Sequence, residues 1–309
     1  MDVFISSFRQ MLFMFLFMLF GYMLNRKKLI PENSGAVLSK LENLLFMPCL
    51  VLNTFMNRCT IENLTSKASF ILYSILFLAI ALLLAIVLSP FFAQKKEEYG
   101  IYRYSFVVAN IAFMGNAVVE GIFGSEILFD YLIFTLPINL FLNSIGISWL
   151  IPASEGMSPL KKWGNPINLA SLAGVILGIT SFSLPRPLPA FISAGSACMA
   201  PIAMLLTGFI IGQYPLRPLI SSGRVLFTAL YRLLLLPFLF FLLAGLLQLD
   251  SDIRHVLICA YSMPLGLNTI VIPSAYDKDA SLGASMALIS NLLALITIPL
   301  VFYLFLPAA

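Results

Sequence analysis

The sequence predicts an all-α integral membrane protein of about ten spanning helices. Three observations predict it. Of 309 residues, 60% are hydrophobic and only 10% are charged, where a soluble domain carries about a quarter charged residues. The apolar residues fall into ten continuous runs, each near the length of about 20 residues that a bilayer core requires. The runs do not alternate apolar with polar, which excludes a membrane β-barrel.

The ten runs lie near 7–25, 35–56, 68–92, 103–123, 127–151, 166–184, 190–212, 224–248, 253–276 and 281–306. They are apolar all round, so each must face lipid or other helices. The first is too long for the apolar core of a removable signal peptide, and no small-residue cleavage pattern follows it. The basic cluster Arg26, Lys27 and Lys28 comes after it, as an anchor at the cytoplasmic interface would. No connection is long enough to hold a domain, so function is expected within the membrane part. The cysteines Cys49, Cys59, Cys198 and Cys259 form no CxxC pair, and read as small apolar residues of membrane helices. Basic residues scattered over short loops exclude a nucleic-acid surface.

Ten spans divide the loops between two sides. One side holds Arg26, Lys27, Lys28, Lys40, Lys95, Lys96, Arg103, Lys161, Lys162, Arg217, Arg224 and Lys278. The other holds only Arg9, Arg58, Lys67, Arg186 and Arg254. Cytoplasmic loops are enriched in Lys and Arg, so the first side is expected inside and both termini outside the cytoplasm of a plasma-membrane protein.

The two halves resemble each other at a constant shift. RYSFVVANIAFMGNAVV from Arg103 aligns with HVLICAYSMPLGLNTIV from His255, which superposes Asn116 on Asn268 and Asn139 on Asn291. Pro48 and Pro201 interrupt spans two and seven at nearly the same place. The expected repeats are residues 1–151 and 152–309. Five helices are an odd number, so the second copy must start from the opposite face, giving an inverted repeat of the kind secondary transporters use.

Spans four and nine carry the irregular residues. NIAFMGNA runs from Asn110 to Ala117, and YSMPLGLN from Tyr261 to Asn268. Pro264 removes a backbone donor and clashes with the preceding turn, so span nine is expected to break there. Gly115 and Gly266 permit unwinding and close approach of backbone. Ends of broken helices in lipid must line a cavity or meet a partner, and a half-helix start favours a carboxylate. The candidate substrate-binding residues are therefore Asn110, Gly115, Asn116, Pro264 and Asn268. Glu120, Asn139, Asn291 and Tyr261 are candidates for coupling or cavity lining, with Asn143 and Ser290 beside them. Glu120 either carries a coupling proton or cation or reaches water at the end of span four. Arg232 is expected to snorkel to the inner interface, and Lys40 and Glu42 to be interfacial at the start of span two. The single histidine, His255, sits at a span boundary, and no metal site or cofactor is expected.

These residues also make the chain recognisable. GYMLNRKKLI followed by LENLLFMPCLVLN resembles the first two spans of the auxin efflux carrier family of permeases, which includes bacterial malate permease-like proteins and plant PIN carriers. NIAFMGNA is similar to the family's fourth-span motif, and PLGLN through SNLLALITIPL to its last two spans. Ala112 stands where that motif usually has glycine, and Ala117 where it has proline. The resemblance implies two inverted five-helix repeats whose fourth and ninth helices cross where they unwind. It implies a scaffold of spans one, two, six and seven, often dimeric, beside a moving transport part of spans 3–5 and 8–10. It also implies an organic anion bound near the crossing.

The expected function is a secondary transporter of a small organic anion, such as a carboxylate, working by alternating access. No GxxxxGK[ST] phosphate loop occurs, so uphill transport would draw on an ion gradient, of protons or sodium. A ten-helix drug/metabolite-type exporter is the alternative, which broken fourth and ninth helices would disfavour. An intramembrane enzyme needs a nucleophile with a base, paired acids or a metal. The sequence has no HExxH and no paired intramembrane aspartates, and Asp130 alone lies near the start of a span.

Overall fold

The computed structural model describes residues 2–150, 166–214, 222–275 and 279–306, and all their regular structure is helical. Lys161, Lys162, Arg217, Lys278, the side chain of Asn143 and the expected repeat boundary at 151–152 lie outside the described residues.

Span one is α1 (Asp2–Arg26). Span two is assembled from α2 (Ser34–Leu41), a single π-turn (Glu42–Phe46) and α3 (Met47–Arg58). Pro48 falls just after the wide turn, where its missing N–H costs nothing. A short surface helix, α4 (Ile61–Ser66), comes next, capped by the Thr60 hydroxyl, which accepts from the Asn63 N–H at 3.1 Å. Span three is α5 (Ala68–Phe92).

Spans four and five share one apolar stretch of 44 residues, Glu98–Phe141. It holds α6 (Glu98–Val107), an irregular link, a π-turn (Ile111–Gly115) and α7 (Asn116–Phe141). Within α7, Gly124 has φ 78°, a left-handed conformation that glycine adopts without strain. That residue ends span four and starts span five.

Span six is α8 (Pro166–Thr180), shorter than the 166–184 expected. It stops where Ser181 turns left-handed with φ 51°. Span seven is α9 (Pro187–Gly212), and it continues through Pro201. Span eight is α10 (Gly223–Leu230), a π-turn (Tyr231–Leu235) and α11 (Leu236–Leu246). Span nine is split into α12 (Ser251–Tyr261) and α13 (Asn268–Ala275). Span ten is α14 (Ser281–Phe305).

The packing repeats with the sequence. Span one lies along span seven, and span six lies along span two in the same way. Span three packs on span five, and span eight on span ten. Spans one and seven approach to backbone contact at Gly21 beside Leu205 and Gly208 beside Met18, the small-residue packing of membrane helices. The buried core centres on spans 3–5 and 8–10, with Tyr102, Phe106, Tyr131, Phe134, Phe240, Tyr261 and Phe302 fully enclosed. Large apolar side chains instead cover the outside of α1, α5 and α8, among them Phe20, Leu72, Leu83 and Leu172. Such a surface suits lipid, not water.

Two ion-pair clusters mark opposite ends of the bundle. Arg224, at the start of α10, lies 3.5 Å from Glu98, at the start of α6. Lys67, before α5, lies 2.6 Å from Asp130 and 3.5 Å from Asp252, at the start of α12. The half-helices α6 and α12 therefore enter from opposite faces.

Candidate functional site

Helix α6 ends at Val107, and Val108 is extended with φ −103° and ψ 125°. Asn110 then caps the π-turn Ile111–Gly115: its Oδ1 accepts from the Met114 N–H at 3.3 Å. The Tyr131 hydroxyl, reaching across from span five, donates to the Ile111 carbonyl at 3.0 Å. Span four thus breaks without the proline that Ala117 replaces, because Asn110 and Tyr131 satisfy the turn.

In span nine the interruption covers Ser262 to Leu267, centred on Pro264. The Leu265 N–H donates to Ser290 Oγ at 3.0 Å. The two interruptions meet directly. The Asn110 N–H donates to the Pro264 carbonyl at 2.8 Å, a main-chain bond between spans four and nine. Gly266 packs beside it, and a Cβ there would lie in ordinary contact with Asn110, 3.5 Å from its Cα.

Asn268 opens α13, the second half of span nine, whereas Asn116, superposed on it in the sequence repeat, lies just past the π-turn, inside the second half of span four that Asn110 caps. Asn268 Nδ2 donates to the Tyr104 hydroxyl at 2.7 Å. Asn116 Nδ2 meets only the weak acceptor Met47 Sδ, at 3.5 Å. The Asn110 Nδ2 is buried and has no partner among the described residues. The crossing therefore offers amide donors beside two helix starts, whose partial positive charge favours anions.

The opposite ends of the first half-helices also meet. Val107 closes α6 and Tyr261 closes α12, so two sets of carbonyls converge. Arg232, from the π-turn of span eight, fills this position. It is 1% exposed, its Nη1 donates to the Val107 carbonyl at 3.2 Å, and its guanidinium carbon lies 5.2 Å from the centre of the Tyr261 ring. A cation is the natural partner of two negative helix ends. The expected snorkelling of Arg232 is thereby corrected: the π-turn aims it inward, where Val107 and Tyr261 receive it. Glu42 is also corrected. It is fully buried, not interfacial, whereas Lys40 is exposed as expected.

The remaining candidates divide. Gly115 ends the π-turn against the Tyr131 hydroxyl. Tyr261 is buried under Arg232, and its own hydroxyl has no partner among the described residues. Asn291 is buried on span ten, with its Nδ2 on the Ala287 carbonyl at 2.8 Å and its Oδ1 unpartnered. It lines a cavity of about 10 Å³ with Met11, Met14, Met18, Met114 and Met204, room for about one water. Glu120 is half-buried one turn beyond Asn116, toward Gly124, and Asn139 is half-buried on span five about two turns past Tyr131; neither is drawn into the crossing. A cavity of about 830 Å³ opens on the lysine-rich face, with Lys95, Trp149, Arg224, Ile101 and Ser285 in its wall. One turn past Ile101 on α6, Tyr104 is bonded to Asn268, and the Ser105 hydroxyl meets Met286 Sδ at 3.1 Å.

Inverted repeats, two interrupted helices and their main-chain crossing define a multi-pass membrane transporter. The family described as "Membrane transport protein" matches the chain twice, over residues 6–157 and again over 150–302. The chain belongs to that family, the auxin efflux carriers that its motifs resemble. It is also similar to an uncharacterized transporter of Methanocaldococcus jannaschii, 26% identical over 216 residues, which are 68% of this chain and 69% of the relative.

Proposed function

We propose that this transporter is a secondary carrier for a small organic anion, a carboxylate, which binds at the crossing of spans four and nine. The observation that carries this reading is the buried Nδ2 of Asn110, without a partner among the described residues, at the start of the second half of span four and beside the start of α13. A carboxylate there would accept from the amides and meet two helix dipoles, with no fixed positive charge to hold it too tightly. Asn116 would exchange its weak bond to Met47 for a better acceptor. Spans 3–5 and 8–10 move as one transport part against spans one, two, six and seven, opening the crossing to each side of the cell membrane in turn. The lysine-rich face is cytoplasmic and both termini lie outside. The cavity on that face is then the inner approach.

Counterflow of labelled mono- and dicarboxylates in proteoliposomes tests this. Asn110→Asp keeps the acceptor that caps Met114 but replaces the free amide with a carboxylate, which repels an anion. The variant should fold normally and lose at least tenfold in apparent affinity, about 1.4 kcal/mol. Unchanged counterflow in Asn110→Asp would move the site elsewhere.

A further inference from the structure

Glu42 is fully buried in span two, and neither carboxyl oxygen has a hydrogen-bond partner among the described residues. It opens the π-turn Glu42–Phe46, which the Met47 N–H closes by donating to the Glu42 carbonyl. Single π-turns are rare and frequently mark functional positions. In an α-helix, residues five apart are rotated by about 140°. The wider turn removes most of that offset, so Glu42 stands over Met47 on nearly the same face. Met47 is the residue whose sulfur receives the Asn116 amide. The carboxyl is therefore one turn from the contact between span two and the second half of span four.

The described elements packed around it bring no charged side chain to the carboxyl. The π-turn packs against α2, α3, α8 and α9. Their titratable groups are Lys40, exposed on α2; Arg58, at the far end of α3 and bonded to Ser125; Cys49, further along α3; and Cys198, exposed on α9. Helix α8 has none. Among the described residues, no side chain forms an ion pair or hydrogen bond with the Glu42 carboxyl. A bare carboxylate in such surroundings is strongly disfavoured. A metal cation would need several further oxygens, and the described residues include no cluster of three or more acidic, histidine or cysteine side chains.

We propose that Glu42 is a proton-carrying group, holding a proton in this conformation and releasing it to water when spans two and four separate. The step is a simple ionisation: the carboxyl O–H bond breaks, the pair of electrons stays on oxygen, and the proton passes to the face then open. Because the same separation moves Asn116, proton release is linked to solute movement at the crossing. This rests on the carrier reading above, and its test is built to fail separately.

The experiment compares wild type with Glu42→Gln, which keeps shape and removes the titratable group. Infrared spectroscopy of the purified protein, with no solute added, should show a protonated-carboxyl C=O stretch near neutral pH that the variant lacks. If the two spectra agree in that band, the proposal falls whatever the protein transports. In proteoliposomes, Glu42→Gln should retain exchange of the carboxylate that gives the fastest counterflow, while a pH gradient no longer drives its uptake. A variant still driven by the pH gradient as well as wild type also overturns the proposal. A wild-type protein that exchanges no carboxylate instead counts against the carrier reading, and the infrared comparison still decides Glu42. Should Glu42→Gln prove unstable, Glu42→Met serves as the second non-titrating variant in both measurements.

Discussion

Arg232 and Val107 are 125 residues apart in sequence, yet the Arg232 guanidinium donates to the Val107 carbonyl at 3.2 Å. The same guanidinium lies over the ring of Tyr261. One side chain from span eight thus holds the converging ends of α6 and α12. Arg232→Ala leaves that carbonyl without a donor and a void beside Tyr261, and should cost about 2 kcal/mol. Arg232→Lys keeps the charge but loses the flat contact with the ring, and should recover only part. Thermal unfolding in detergent checks both, and an unchanged Tm in Arg232→Ala would reject the role.

Asn268 and Tyr104 act as a pair, joined at 2.7 Å across spans nine and four. Asn268→Ala and Tyr104→Phe should each slow counterflow about tenfold, and the double variant should be no worse than either alone. Coupling of that kind is expected of residues sharing one bond. Losses that multiply in the double variant would mean that the two act separately.

Gly115 stands against the Tyr131 hydroxyl. Gly115→Ala should push that hydroxyl off the Ile111 carbonyl and loosen the turn that starts the second half of span four. The expected result is a loss of transport and a lower Tm. Adding Tyr131→Phe removes the clashing oxygen and should restore part of the stability, which a melting series of the three variants measures.

The Lys67–Asp130 pair is partly enclosed, with side-chain exposures of 21% and 6%. Lys67→Met strands the Asp130 carboxylate and should cost about 2 kcal/mol, between the limits for exposed and buried pairs. Asp130→Asn should cost less, because the amide still accepts from Lys67. Tm values equal to wild type in both variants would show the pair to be incidental.

The membrane spans were legible because lipid leaves a continuous apolar run of fixed length, and spans three and ten match their expected ends within a residue. The crossing was legible in Pro264, Gly266 and the two aligned asparagines, since residues that end helices announce themselves locally. Arg232 and Glu42 were not. Each lies near the end of an apolar run, where a charge reaching water and a charge turned inward look alike. The difference arises from π-turns in spans eight and two, which have no sequence signature in YRLLL or ENLLF. The division of spans four and five was legible as well, since the expected gap at 124–126 contains Gly124, where the chain turns. Asn110 was found for its amide, but its role as the cap of Met114 depends on a break that the motif only suggested.

The bond from the Asn110 N–H to the Pro264 carbonyl uses main chain alone. Peptide groups are common to every residue, so this clasp survives substitutions that would destroy a side-chain pair. Ala112 and Ala117 illustrate the tolerance, since the helices still meet without the usual glycine and proline. Evolution is then free to redraw the chemistry lining the passage, one side chain at a time, while the joint on which it turns stays fixed.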